Sequence, residues 1–110
     1  MALFAVPGRS ADFVADRLSE TLAIPFERRT SSFWGDYCLH RIALEFAIRI
    51  YNNEDPLHQP DADAPEEHFF EAEFKQFRVL VDVPSGASMS SKVSTALQSA
   101  FPGTVTVRPS

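Results

Sequence analysis

One run of strict alternation constrains this chain more than any other feature. Ile42, Leu44, Phe46, Ile48 and Ile50 alternate with Ala43, Glu45, Ala47, Arg49 and Tyr51. Successive side chains of a strand point to opposite faces, so this period of two predicts one long strand with one buried face. Upstream, Tyr37 and Leu39 sit on the opposite parity. A bulge or tight bend near His40-Arg41 is therefore expected, because a one-residue slip would otherwise turn the apolar side to solvent.

The flanks repeat one order of elements. "ALFAVP" reads as a first strand, and Ser10 as the N-cap of a helix with Asp12 in its first turn. Phe13, Val14, Leu18 and Leu22 recur at helical spacing, and Pro25 closes that helix through Ile24. "FERRTSSFW" then reads as a strand, with Gly35-Asp36 at a type II′ hairpin turn. Near the other end "FRVLVDV" is a strand, Ser88 or Ser90 a cap, and Met89, Val93, Ala96, Leu97, Ala100 and Phe101 the apolar stripe of a second helix. Pro102-Gly103 stops it before a last strand, "TVTV".

Two strand–helix–strand units sharing a sheet through right-handed crossovers place both helices on one face. The expected fold is α+β: a two-layer sandwich, with a mixed, mostly antiparallel sheet of about five strands, a variant of the ferredoxin-like arrangement. At 110 residues the chain is expected to form a single domain, 1–110. The other sheet face is expected to show Trp34, Glu45, Arg49 and Tyr51.

The net charge of −5 is unevenly spread. Residues 1–50 carry six Arg against six acids, residues 51–75 carry eight acids against Lys75, and the remainder carries three bases against Asp82. The excess negative charge thus lies in one segment, so nucleic acid is disfavoured as a partner while a basic protein would be attracted. The lone Cys38, an apolar start of only five residues and the lack of a span-length apolar stretch predict a soluble protein of a reducing cytoplasm, with no membrane.

Residues 52–76 are too long for an ordinary connection and are expected to form an acidic loop or short-helix insertion. Pro56, Pro60 and Pro65 argue against a strand. A helix begun at Asp63 would align Phe70, Phe74 and Phe77 and pair Glu71 with Lys75. In either form the phenylalanines should anchor the segment while its acids stay hydrated. His58, Asp61, Asp63, Glu66, Glu67 and His68 are potential metal ligands, but their spacing matches no metal-binding device, and a solvated acidic loop is the favoured reading. Cys38, within an apolar stretch, reads as a buried structural thiol, and His40 as a possible partner of a carboxylate across the sheet. Neither recruits a nucleophile or an oxyanion hole, so no catalytic residues, no cofactor and no enzymatic activity are expected.

Three stretches in order, "IPFERRTSSFWGDYCL", "YNNEDP" and "EFKQFRVLVDV", resemble a group of small bacterial proteins. Members carry an SS-aromatic-x-Gly-Gly-x-Tyr hairpin, then a strand ending in Asn-Glu-Asp, then an E-F-x-x-aromatic-x-V-L strand. Here Gly35-Asp36 replaces the glycine pair. The group is associated with immunity partners of polymorphic secreted toxins. The resemblance implies the role of a toxin's immunity partner; the protein is expected to neutralise a cognate toxin by direct binding, as a monomer or weak homodimer. Acidic residues there would meet a basic toxin, and exposed aromatics would hold it. The expected partner-binding residues are Trp34, Tyr51, Glu54, Asp55, Asp61, Asp63, Glu66 and Glu67. The alternative is a ferredoxin-like small-ligand-binding or regulatory domain; a metal-dependent enzyme using His58 and His68 is a third reading.

Overall fold

The computed structural model describes residues 1–43, 46–57, 69–84 and 87–109. Six strands form one sheet in the order β2-β3-β4-β5-β1-β6. They are β1 (Ala2–Val6), β2 (Glu27–Ser31), β3 (Gly35–Ala43), β4 (Phe46–Asn52), β5 (Val79–Val83) and β6 (Val105–Pro109). Helices α1 (Ala11–Leu22) and α2 (Ala87–Ala100) pack on the sheet. The α+β fold is the expected one. Its sheet has six strands in place of about five, and every neighbouring pair is antiparallel. The two crossovers explain the lack of parallel pairs. Strand β1 stands between β5 and β6, and three strands separate β1 from β2, so neither unit places its own strands side by side.

The extra strand comes from the alternating run. Residues 42–51 do not form one strand: Ala43 pairs with Phe46, and the chain reverses between them. Leu44 and Glu45 lie outside the described residues. Alternation survives because the register shift between Arg41 and Ala43 offsets the turn: His40 stands opposite Ile48 and Cys38 opposite Ile50, so even-numbered residues of both strands share a face. Ile48 and Ile50 are fully buried toward the helices, whereas Ile42 and Phe46 are 42% and 51% exposed. Helix α1 shields only the far half of this hairpin. The expected register irregularity does occur, between Arg41 and Ala43.

Central strands β1 and β5 are buried on both faces, which is why "ALFAV" and "VLVDV" are continuous apolar runs broken only by Asp82. Ala2, Phe4, Val6, Val79, Val81 and Val83 face the helices, with Val14 and Leu18 of α1 and Val93, Ala96 and Leu97 of α2. Each large side chain fully removed from water contributes about 1.5–3 kcal/mol. Ser10 caps α1 as expected, its Oγ accepting from the Phe13 N–H at 3.1 Å. The helix ends at Ala23, whose φ of 55° is left-handed. At α2 the cap is not Ser90, which lies inside the helix with its hydroxyl buried and unpartnered among the described residues.

Odd-numbered positions of β1 and even-numbered ones of β5 face the other way, and that face is partly roofed. Leu3, Ala5, Tyr51 and Leu80 form a second apolar cluster with Trp34, Tyr37, Phe70, Phe74, Phe77, Val105 and Val107. The phenylalanines thus anchor their segment as expected, with a 3-10 turn at Ala72–Phe74; the helix start expected at Asp63 lies outside the described residues. Glu71 pairs with Arg108 at 2.9 Å, not with Lys75.

Candidate functional site

The end of the sheet where β4 finishes collects the features of interest. The β2–β3 loop is longer than a two-residue hairpin: Ser31 pairs with Gly35, leaving residues 32–34 in the loop. Gly35 closes it at a φ of +71°, where a side chain would be strained. The turn therefore lies at residues 32–34, before the Gly35-Asp36 pair, which belongs to β3, and this lifts Phe33 and Trp34 to the apex. The Ser31 hydroxyl accepts from the Trp34 N–H at 2.9 Å and fixes the loop.

At that apex the rings form a connected set. Phe33 meets Trp34 edge-on at 4.7 Å between centroids, and both reach Phe70, at 5.6 and 5.7 Å. Trp34 lies 4.4 Å from Tyr51, and the Arg49 guanidinium stands 5.0 Å from the indole centroid, a cation–π contact. Trp34 is half-buried, and Phe33, 51% exposed, is the outermost ring. Tyr51 is only 5% exposed, so the expectation of an exposed anchor there is corrected: its ring lies beneath Trp34 and Phe70. Burial, reinforced by the nearby Asp82 and Glu71 charges, raises its phenol well above the ordinary value. Phe33 was missed from sequence, although an aromatic flanked by two serines and a tryptophan in a polar hairpin is a usable signal.

The acidic segment begins beside these rings. Glu54 is exposed and bridges to Phe69, while Asp55 Oδ1 accepts from the Leu57 N–H at 2.8 Å. Pro56 lies against the loop, 3.6 Å from where a Cβ on Gly35 would stand. Leu57 is 53% exposed. Asp61, Asp63, Glu66 and Glu67, with His58 and His68, lie outside the described residues.

What holds the segment's root is Asn53, which has no exposed surface. Its Nδ2 donates toward the carbonyls of Glu71, Phe74 and Phe77 at 3.1–3.2 Å, and its Oδ1 accepts from the Glu71 N–H at 2.9 Å. Its backbone adds bonds to Arg78 and Phe70. Asn52 points the other way, its Oδ1 accepting from the Ala11 N–H at the start of α1. The "YNN" of the sequence is therefore a junction: one residue in the aromatic cluster, one on the helix, one clamping the covering segment.

The remaining chemistry is structural. Cys38 is buried, its thiol facing Asp12 Oδ1 at 3.4 Å, and burial pushes its pKa up to about 12. That disfavours the thiolate, the nucleophilic form. Among the described residues His40 pairs with no carboxylate; its Nδ1 stands 2.8 Å from the Pro25 carbonyl, to which it donates. Asp82 is raised by burial, with Arg49, 3.9 Å away, opposing. Among the described residues no three His, Cys, Asp or Glu stand close enough to hold a metal ion, and no helix is long and apolar enough to cross a membrane.

Fold and site together describe an antiparallel α+β sandwich with an aromatic apex set beside an acidic root. In comparisons with known proteins, no family model, no curated protein and no solved structure matches the chain.

Proposed function

We propose that this chain is a non-catalytic binding protein of the immunity type, which neutralises a cognate basic toxin in the cytoplasm through its aromatic apex and acidic segment. The observation that supports this reading is a juxtaposition. An outermost ring, Phe33, and a half-buried Trp34 sit on a fixed loop, with Pro56 of the acidic segment against that loop. Eight of the chain's fifteen acids fall in residues 51–75. Interfaces draw their energy from a few rigid aromatics, and complementary charge speeds encounter with the right partner. The apex supplies the first and the segment the second. Tyr51 contributes from beneath, by fixing Trp34.

The test pairs the full chain with the product of the adjacent gene and measures affinity by calorimetry. Phe33→Ala is expected to weaken binding by about tenfold or more, and joint reversal of Glu54, Asp55, Asp61 and Asp63 to lysine to slow association. Both variants should keep their melting temperature. An affinity that survives both changes would overturn the proposal.

A further inference from the structure

Beside the acidic root lies a cleft of about 390 Å³ whose lining includes Arg9, Ser10, Asn52, Glu54, Lys75 and Arg78. Its three described cations come from two distant parts of the sequence: Arg9 from the loop before α1, and Lys75 and Arg78 from the turn that leads into β5. In an acidic chain most basic side chains should find carboxylates, and several do. Arg28, Arg29, Arg49 and Arg108 each form an ion pair. None of the ion pairs among the described residues includes Arg9, Lys75 or Arg78. Arg9 is instead held in place by its stack on the Phe13 ring, at 4.2 Å.

The neutral lining adds donors. Asn52 spends its Oδ1 on the Ala11 N–H, which leaves its amide hydrogens for the cleft. Ser10 accepts from Phe13 through Oγ, so its hydroxyl hydrogen is free to donate. The start of α1 is not itself the attraction, since these two residues already occupy the Ala11 and Phe13 N–H groups. Among the described lining residues, three cations face one carboxylate, that of Glu54. A cleft of this size, with two guanidinium forks, an ammonium and neutral donors, suits a compact dianion better than a single carboxylate.

We propose that this cleft is a binding site for a phosphate-type oxyanion, either inorganic phosphate or the phosphoryl group of a small metabolite. It does not rest on the toxin-binding reading, because its cations are absent from the aromatic and acidic surface used there; Glu54 borders both. Full-length protein would be titrated with inorganic phosphate at constant ionic strength, and in a second arm with adenosine monophosphate, following backbone amides by NMR. Saturable shifts are expected at Ser10, Asn52, Glu54 and Arg78. The double variant Arg9→Gln, Arg78→Gln should weaken binding about tenfold or more, while Arg17→Gln with Lys92→Gln leaves it unchanged. Tighter binding of the nucleotide would assign the site to a phosphorylated metabolite, and equal binding to phosphate itself. The proposal is overturned by shifts that do not saturate at roughly tens of millimolar, by chloride producing the same shifts, or by the control pair losing as much as the cleft pair. All four substituted side chains are exposed, and circular dichroism of each variant verifies the fold.

Discussion

Asn53 illustrates how a single side chain substitutes for secondary structure. Among the described residues, the segment that roofs the second sheet face has a 3-10 turn at Ala72–Phe74, and carbonyls around that turn take their partner from elsewhere. Asn53 reaches three of them and one N–H from a site with no solvent access. Truncation to alanine would leave those groups without a partner as well as emptying the site. A typical hydrogen bond contributes about 1 kcal/mol, and an orphaned buried group costs about 1–3 kcal/mol. Asn53→Ala is therefore expected to destabilise by roughly 3 kcal/mol or more. Its neighbour Asn52 makes one bond, to a partly buried helix end, so Asn52→Ala should cost about 1 kcal/mol. Urea unfolding of the two variants measures the contrast, and similar midpoints would mean that the clamp is not what holds the covering segment.

At the scale of elements, the β3–β4 hairpin separates pattern from environment. Its alternating residues look alike in sequence, yet α1 covers only part of their length. Ile48→Ala, at a fully buried position against the helices, should cost about 2–5 kcal/mol. Ile42→Lys and Phe46→Lys, at largely exposed positions, should each change stability by no more than about 0.5 kcal/mol. Thermal melts of the three variants check this, and a large loss at Ile42 or Phe46 would show that the tip is covered in solution. The same hairpin shows how far sequence could be read. Helical stripes such as Val14–Leu18 and Val93–Leu97 identify their buried faces directly, because each helix packs against one layer. A strand pattern of period two does not distinguish one long strand from a hairpin whose bulge offsets its turn, since even-numbered residues of both strands then share a face. The loop at residues 32–34 was misplaced for a related reason: glycine marks a positive φ, but not which position of the turn requires it. The candidate site was legible where composition carried it, in the acidic run and in Trp34. It was opaque where tertiary structure made it, as in the burial of Tyr51 and the meeting of Arg9 with Lys75 and Arg78.

For the molecule as a whole, each of the two apolar layers buries a weak acid that ionises in the alkaline range, Cys38 on the helix side and Tyr51 under the covering segment, where Asp82 is buried as well. Burial raises both, the thiol from an ordinary 9.0 to about 12 and the phenol above its ordinary 10.0. Both groups are neutral at pH 7 in the folded and the unfolded chain, so they leave neutral stability untouched. Above pH 9 the unfolded chain releases the Cys38 proton while the folded chain keeps it. The folded state then binds more protons, and the free energy of unfolding falls with rising pH. Each such group removes about 1.4 kcal/mol per pH unit once its unfolded form is ionised. The decline should begin near pH 9 with Cys38 and steepen above pH 10 as Tyr51 joins it. Urea midpoints from pH 8 to 10.5 measure the slope. Cys38→Ala should flatten it between pH 9 and 10, whatever that substitution costs at pH 8, and Tyr51→Phe should flatten only the steeper part above. Equal slopes in all three proteins would place the alkaline sensitivity outside the two buried layers, in the surface ion pairs.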